Sequence, residues 1–330
     1  MRILGIESSC DEMSAAVVED GVKVISNVIY SQVAIHAQYG GVVPEVASRQ
    51  HLLQVAPVIK QALTNARVAL ADIDAIAVTN GPGLAGSLLV GVAAAKAISF
   101  AVDKPFIGIN HLEGHIYANW LEDPAKMANN PFPLICLIVS GGHTELVSMT
   151  GHGQYEMLGQ TRDDAAGEAF DKVASILGLG FPGGPAIDKI SKGIASTYKF
   201  PRAWLKDSYD FSFSGLKTAV LHASQASPAE SERPSMAAGF QESVVDVLVS
   251  KSIDAATNTD SKLILIAGGV AANSVLSSEM RRRSPIPVMS PRISLCTDNA
   301  AMIACCAYYR LASSKRDALS MDISPSMTLA

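Results

Sequence analysis

The stretch "RILGIESSCDEMSAAVVEDGVKVISNVIY" (residues 2–30) decides the fold, because its pattern returns in "LICLIVSGGHTELVSMTGHGQYEML" (residues 134–158). Each copy reads as an apolar strand, a polar turn, a second apolar strand, a glycine turn and a third strand. The turn "ESSCDE" of the first copy corresponds to "SGGHTE" of the second. We therefore predict a duplicated α/β unit, in which the architecture repeats although few residues are identical.

Helices alternate with short strands after each triple of strands. In the first half, a helix that starts at Pro44 carries Leu52, Val55, Ile59 and Leu63 at helical spacing. The strand "FIGI" (residues 106–109) then leads to a pair of histidines, and in the second half the alternation continues to a last helix from about residue 297. This order predicts mostly parallel sheets covered by helices, with ligands at the carboxyl ends of strands.

The composition sets limits on the class of protein. A chain of 330 residues with 48% hydrophobic content can bury large cores, and its length predicts two domains. A formal charge of -5 argues against a protein that holds nucleic acid by its overall charge. Five cysteines without a CxxC pair indicate reduced thiols. No run reaches the roughly eighteen apolar residues of a membrane span, and the start turns acidic at once, so we expect a cytoplasmic protein without a membrane partner.

The segment "NHLEGHIYANW" (residues 110–120) places His111 and His115 four apart in a stretch that reads as helix. This spacing puts both imidazoles on one face, where they can share a metal; a capping His111 and a hydrogen-bonded surface His115 is an equally good interpretation. A zincin protease needs glutamate directly after the first histidine, but this position holds Leu112, and Glu113 is rotated away. Asp298 could be the third ligand, a set that suits iron(II) without excluding zinc or manganese.

Glycine-rich turns offer candidate sites for a phosphate group. The turns "SGGHTE" (140–145), "GFPGGPAID" (180–188) and "AGGVAANS" (267–274) allow backbone N–H groups to approach an anion, although most isolated Gly-Gly pairs are structural turns. Asp164, Glu168 and Asp171 share one face of the predicted helix from residue 165, which would ordinarily be a solvated acidic face. Since this helix leads into the second turn, Asp171 and Asp188 could both point at one ligand ribose.

Ten spaced motifs, in order from about residue 1 to residue 312, closely resemble those of the bacterial TsaD family, the tRNA threonylcarbamoyladenosine transferases. They include "GIESSCDE", "GPGLAGSLLVG", "NHLEGH", "VSGGHTE", "DDAAGEAFDKVA", "DFSFSGLKTAV" and "CTDNAAMIA". The departures are small. Met13 stands where threonine is more usual, and the tail after about residue 318 matches nothing diagnostic.

The resemblance implies two duplicated actin-like (ASKHA, ribonuclease H-like) α/β domains around a nucleotide cleft. The first, residues 1–132, would carry the metal-binding histidines and a partner face; the second, residues 133–330, would bind the adenylate, with its last helix packing back on the first. The implied reaction moves the threonylcarbamoyl group from threonylcarbamoyl-AMP to N6 of the adenosine just 3′ of the anticodon in tRNAs that read codons beginning with A, releasing AMP. The implied protein partners are a TsaB paralogue and the ATPase TsaE.

The resemblance also implies roles for individual residues. One divalent metal, usually iron in this family, would be held by His111, His115 and Asp298. The adenylate would be held by a set from the second domain: Ile138, Val139, Ser140, Gly141, Gly142, Asp171, Gly184, Asp188 and Asn273. For removal of the proton from the adenine amine, we hypothesise Asp11 or Glu12, because the repeat places their turn opposite the "SGG" turn across the cleft.

Three other functions compete with this interpretation. A metallopeptidase would hydrolyse peptides in a chelator-sensitive way and would have no affinity for AMP esters. A kinase or ATPase of the actin-like superfamily would use the glycine turns for ATP phosphates and would not need the two histidines. A nucleotide-sensing module without chemistry would not need metal ligands beside the adenylate turns.

Overall fold

The computed structural model describes residues 1–121, 127, 131–314 and 316–329. Its strands are β1 Arg2–Glu7, β2 Glu12–Glu19, β3 Lys23–Ser31, β4 Ala75–Gly81, β5 Phe106–Asn110, β6 Leu134–Val139, β7 Thr144–Gly151, β8 Gln154–Gln160, β9 Leu263–Ala267 and β10 Val288–Met289. Its α-helices are α1 Val33–His36, α2 Pro44–Ala66, α3 Ala85–Val102, α4 His111–Tyr117, α5 Ala166–Ile176, α6 Gly183–Ser191, α7 Ser214–Ala226, α8 Arg233–Asn258, α9 Ser274–Arg283, α10 Ile293–Cys296 and α11 Ala300–Ala312. Short 3-10 helices cover Ala37–Tyr39, Leu70–Asp72, Ala118–Leu121, Glu230–Glu232 and Gly269–Ala272.

The chain folds into two compact units. The first unit contains Met1–Asn130 together with Thr297–Ala330, and the second contains Pro131–Cys296. The sequence predicts a second domain of residues 133–330, of which only the last helix packs on the first domain. In the structure, the whole segment from Thr297 onward, including α11, belongs to the first unit.

The two units share one sheet topology. In the first, the strand order is β3-β2-β1-β4-β5; β1 is antiparallel to β2 and parallel to β4, which is parallel to β5. In the second, the order β8-β7-β6-β9-β10 repeats this arrangement, with β6 antiparallel to β7 and parallel to β9. The predicted duplication of one α/β unit is therefore confirmed, but the prediction of mostly parallel sheets is wrong, because two of the four strand pairs in each sheet are antiparallel.

The second strand of each unit accepts a hydrogen bond from the start of a helix. Ser14 of β2 accepts a hydrogen bond at its Oγ from the backbone N–H of Ala300, the first residue of α11, at 2.9 Å. Thr144 of β7 accepts one at its Oγ1 from the N–H of Ala166, the first residue of α5, at 2.8 Å. Because the first N–H groups of a helix have no partner within the helix, each second strand stabilises one helix start of its own unit.

The sheet of the first unit is covered on both faces. Leu4 and Ile6 of β1 belong to a core with Ile59 of α2 and Val92 of α3. On the opposite face α11 approaches so closely that a Cβ atom added at Gly5 would lie 2.3 Å from the Ala300 carbonyl oxygen. Burial on both faces explains why β1 and β4 are apolar almost throughout.

The core of the second unit lies between its sheet and α5, α7 and α8. Leu137 of β6 clusters there with Phe170 of α5 and Phe240 of α8. The rings of Phe170 and Phe240 meet edge to face with centroids 5.1 Å apart. Phe170, Val173, Ala174 and Leu177, which recur at helical spacing in α5 and at its end, form its buried face.

The outer faces of α2 and α3 are unusually apolar. Leu52 and Leu53 of α2 are each 65% exposed, and Phe100 of α3 is 78% exposed. The helical stripe that contains Leu52 is therefore only partly a core face. Among the described residues, α3 is the one helix long and apolar enough to cross a bilayer, but a helix that covers a core passes the same test, and Val92 of α3 packs in the core.

Candidate functional site

The helix α4 carries both predicted metal-binding histidines. It begins directly after β5, where Asn110 accepts a hydrogen bond at Oδ1 from the N–H of Leu112 at 2.8 Å and so caps the helix. One helical turn separates His111 from His115, and all seven residues of α4 are buried. The strand and its cap thus fix where the two imidazoles lie.

Asp298 meets the two rings, although it comes from the other end of the chain. Its Oδ1 lies 3.1 Å from His115 Nε2 and 3.5 Å from His111 Nε2. One ligand atom from each of the three residues lies within 4.8 Å of the others. Asn299, the next residue, caps α11 by accepting from the N–H of Met302 at 3.2 Å, which holds Asp298 at the positive end of that helix.

The negative charges around this cluster favour the binding of a cation. His111 Nδ1 lies 3.0 Å from Glu7 Oε2, so the ring has a carboxylate on each side. Burial lowers the pKa of His111, but the charges of Asp298 and Glu7 outweigh burial and raise it to about 9. The cluster attracts either protons or a metal ion, and two imidazoles with one carboxylate form a set that fits a divalent transition metal.

Glu113 does not join the histidines. It is 1% exposed and forms an ion pair with Arg310 of α11, whose Nη1 also donates to the Gly108 carbonyl oxygen at 3.0 Å. The carboxylate therefore serves to attach α4 to α11. A glutamate base of the kind that a zincin protease needs is missing from α4, as expected from Leu112 and the orientation of Glu113.

The first polar turn lies beside the metal cluster, in the same unit. Asp11 is 9% exposed, and the neighbouring Cys10 carbonyl oxygen accepts a hydrogen bond from His51 Nε2 of α2 at 2.9 Å. Glu12 accepts from Ser31 Oγ at 2.9 Å. Burial and the charges of Asp298 and Asp11 raise the pKa of Glu12 to about 9. A role for Asp11 or Glu12 in proton transfer stays a prediction.

In the second unit, the "SGG" turn has free space beside its two glycines. It follows Ile138 and Val139 at the end of β6 and is closed by Ser140, whose N–H donates to the His143 carbonyl oxygen at 2.9 Å. A Cβ atom added at Gly141 or Gly142 would meet nothing within 4 Å. The turn can therefore admit a ligand close to its backbone.

A second glycine turn packs directly against the end of β6. Gly268 has a φ of 89°, and a Cβ atom there would lie 2.4 Å from the Val139 carbonyl oxygen. Glycine is therefore required at this position on two grounds, the left-handed backbone and the close approach. The turn after β9 and the "SGG" turn consequently lie together.

The other residues predicted to bind the adenylate take part in hydrogen bonds within the second unit. Asp171 accepts a hydrogen bond at Oδ1 from the N–H of Gly183 at 2.7 Å, beside Gly184 at the start of α6. Asp188 of α6 accepts from Ser274 Oγ at 3.0 Å. Asn273 caps α9, accepting from the N–H of Leu276 at 2.9 Å, while its Nδ2 donates to Gln241 Oε1 at 2.8 Å. Nucleotide binding by these residues stays a prediction.

Sequence reasoning missed three residues that surround His111. Glu7 and Thr79 are fully buried, and Ser9 Oγ lies 3.0 Å from His111 Nδ1. A signal did exist, because Glu7 is a charged residue directly after the apolar run of residues 3–6. Its partners could not be read from the sequence, since Thr79 and His111 lie 72 and 104 residues away.

Comparison with known proteins identifies the family. A model of the family "TsaD: tRNA N6-adenosine threonylcarbamoyltransferase" matches residues 23–305. The chain belongs to the TsaD family. Proteins named tRNA N6-adenosine threonylcarbamoyltransferase are similar to it along their whole length: one from Dehalococcoides mccartyi (strain CBDB1) is 58% identical, covering 100% of this chain and 99% of the relative, and one from Thermomicrobium roseum is 55% identical, covering 98% and 95%.

More distant solved structures show the fold of this TsaD family member. HypF of T. kodakarensis superposes with a TM-score of 0.65 at 12% identity, covering 94% of this chain and 48% of HypF. Component A of the Acidaminococcus fermentans (R)-2-hydroxyglutaryl-CoA dehydratase gives 0.56 at 14% identity, covering 94% and 99%. With two mixed five-stranded sheets, the predicted actin-like α/β fold class is confirmed.

Proposed function

We propose that this protein transfers the threonylcarbamoyl group from threonylcarbamoyl-AMP to N6 of the adenosine just 3′ of the anticodon, in tRNAs that read codons beginning with A. The adenine nitrogen forms a bond to the carbamoyl carbon, the bond from that carbon to the phosphate oxygen breaks, and AMP leaves. The convergence of His111, His115 and Asp298 in a chain that carries the TsaD motifs is the observation on which this proposal rests.

The chemistry suits the residues that the two units supply. An exocyclic adenine amine is a weak nucleophile, so its acceptor must be an activated carbonyl such as a mixed anhydride with phosphate. A divalent metal at the cluster would supply Lewis acidity toward phosphate and carbonyl oxygens. The backbone N–H groups of Gly141 and Gly142, in a turn with free space beside both glycines, would stabilise the phosphate of the leaving AMP.

Asp11 is the better of the two candidates for the proton acceptor. Burial and the charge of Asp11, two causes that a metal at Asp298 would not remove, raise the pKa of Glu12, so its carboxyl is less readily ionised and is the poorer proton acceptor at neutral pH. We therefore assign removal of the N6 proton to Asp11 and orientation of the same turn to Glu12.

For the metal we propose iron(II), with zinc and manganese as the alternatives. Two imidazoles and one carboxylate leave positions free for ligand oxygens, and this donor set is typical of non-haem iron(II). Elemental analysis of protein purified without oxygen and without added metal tests the assignment. Iron at about one equivalent supports it, and zinc at about one equivalent overturns it.

Partners would supply what this chain lacks for holding tRNA. The net charge of -5 gives little general attraction for a polyanion. A TsaB paralogue on the apolar face of α2 and α3, where Leu53 and Phe100 are exposed, and the ATPase TsaE would complete a cytoplasmic complex.

The decisive experiment reconstitutes the reaction. The purified chain is incubated with its TsaB and TsaE partners, threonylcarbamoyl-AMP and unmodified tRNA, and the nucleosides are analysed by mass spectrometry. The modified nucleoside should appear, and it should be lost in His115→Ala. Peptide cleavage without nucleoside formation would instead support the metallopeptidase, against which the Glu113–Arg310 ion pair already argues.

A further inference from the structure

Three neighbouring parallel strands end around one buried carboxylate. Glu7 ends β1, Thr79 lies near the end of β4, and His111 follows β5. The register pairs Ile6 with Val78 and Thr79 with Ile109, so the three side chains reach the same edge of the sheet. This edge also carries the candidate metal cluster.

Both oxygens of the Glu7 carboxylate are engaged. Oε1 accepts from the backbone N–H of Ser9 at 2.6 Å, and Oε2 accepts from Thr79 Oγ1 at 2.6 Å. His111 Nδ1 lies 3.0 Å from the same Oε2. With two donors on its two oxygens, the carboxylate is held in one orientation in a site that has no exposure to solvent.

This arrangement determines which nitrogen of His111 carries the proton. An ionised carboxylate can only accept hydrogen bonds, so Nδ1 must donate to it. Ser9 Oγ, 3.0 Å from the same nitrogen, can accept from it as well. With Nδ1 fixed as the donor to Glu7, Nε2, 3.5 Å from Asp298 Oδ1, is the nitrogen whose lone pair becomes available when a metal displaces its proton.

We propose that Glu7, held by Ser9 and Thr79, is a positioning residue that fixes His111 in the orientation and tautomer able to bind a metal. The inference rests on the proposed metal role of the cluster and adds the residues that prepare one ligand. His115 differs, since its buried Nδ1 has no hydrogen-bond partner among the described residues. Glu7 therefore acts on one of the two imidazoles.

Glutamine at position 7 cannot reproduce the network, although it has nearly the same shape. If its oxygen accepts from Ser9, its NH₂ group faces the Thr79 hydroxyl and His111 Nδ1, which then becomes an acceptor with the proton moved to Nε2. If the amide is reversed, the NH₂ group faces the Ser9 N–H, donor against donor. Either orientation leaves the network incomplete.

Metal affinity of the full chain, stripped with chelator and titrated with zinc or cobalt(II), tests the proposal without any transferase assay. Glu7→Gln should bind either metal about 10–100-fold more weakly. Thr79→Val, which removes one donor to Glu7, should show a smaller loss, and Thr79→Ser, which keeps the hydroxyl, should restore wild-type affinity. Glu145→Gln is the matched control, because Glu145 is a buried glutamate of β7 in the second unit and does not belong to the unit that carries the cluster. Its affinity should be unchanged.

A second readout applies to the unaltered protein. In zinc-loaded, ¹⁵N-histidine-labelled protein, His111 should carry its proton on Nδ1. Wild-type affinity in a folded Glu7→Gln variant overturns the inference, as does an unprotonated Nδ1. Should Glu7→Gln fail to fold, Thr79→Val and the nitrogen spectrum decide the question. A wild-type chain that binds zinc in this way but modifies no tRNA would count against the proposed function alone.

Discussion

Asp298 Oδ1 lies 3.1 Å from His115 Nε2, although 183 residues separate the two in the chain. The contact exists because α11 packs against β1 of the first unit, and Asp298 lies two residues before that helix begins. All three candidate metal ligands consequently lie within one unit, of which the segment from Thr297 onward is a part.

Asp298→Asn should weaken binding of zinc or cobalt(II) at least about tenfold, which corresponds to about 1.4 kcal/mol. The amide keeps the shape of the side chain but loses the charge that faces both imidazoles. Metal titration of the stripped protein measures the effect. Asp254→Asn, an exposed carboxylate of α8, is the control and should bind as the wild type does. Equal affinity of both variants would remove Asp298 from the ligand set.

Asp11→Asn should slow a single turnover of transfer by about 10²–10⁴-fold, the usual contribution of a positioned general base. Glu12→Gln should have a smaller effect, because burial and the charge of Asp11 raise the pKa of its carboxyl and make it the poorer proton acceptor. Quenched single-turnover assays with saturating tRNA distinguish the two variants. Full activity of Asp11→Asn at every pH would contradict the assignment.

Gly5→Ala should destabilise the first unit by about 1–3 kcal/mol, because its methyl group would lie 2.3 Å from the Ala300 carbonyl oxygen and must push α11 away from β1. Since α11 positions Asp298, metal affinity should fall as well. Calorimetry and metal titration measure the two effects. Gly41→Ala is the control, because a Cβ atom at Gly41 would meet nothing within 4 Å. This variant should change neither the stability nor the metal affinity.

Arg310→Met should lower stability by about 3 kcal/mol, because it leaves the carboxylate of Glu113, 1% exposed, without its charged partner. The comparable variant Arg282→Met breaks an ion pair with Glu279 in which the arginine side chain is 67% exposed, and it should cost less than about 1 kcal/mol. Chemical denaturation gives both numbers. Similar losses in the two variants would mean that the Glu113–Arg310 pair contributes little to attaching α4.

Glu145→Gln should stabilise the protein above pH 7 and have little effect near pH 4.5. Burial raises the pKa of Glu145 to about 7, and its Oε2 has no hydrogen-bond partner among the described residues. The folded state thus prefers the protonated acid, and the stability this provides is lost as pH rises from about 4.5 to about 7. The rise in the pKa of Glu145 corresponds to a loss of about 3 kcal/mol in the free energy of unfolding over this pH range. Melting temperatures at pH 5 and pH 8 measure it, with the exposed Glu156→Gln as control. A gain that does not vary with pH would refute the raised pKa.

Local patterns in the sequence were sufficient to predict the main strands and helices and the duplication of the α/β unit. Alternation of apolar residues has a period of two in strands and 3.6 in helices, so the strands of residues 2–30 and the buried stripe of α5 could be predicted from neighbouring residues. The spacing of His111 and His115 is of the same kind, because four residues span one helical turn whatever the rest of the chain does. The duplication followed from the same local pattern occurring twice.

Tertiary structure alone decided which distant residues meet. Glu7 reaches Thr79 and His111 because β1, β4 and β5 lie side by side, and Glu113 reaches Arg310 because α4 packs on α11; neither contact leaves a local pattern. The apolar stripe of α2 shows that a local pattern does not determine burial, since Leu52 fits the helical period but remains 65% exposed. Hydrophobic periodicity shows which side of a helix is apolar, whereas what covers that side depends on packing with elements far away in the chain.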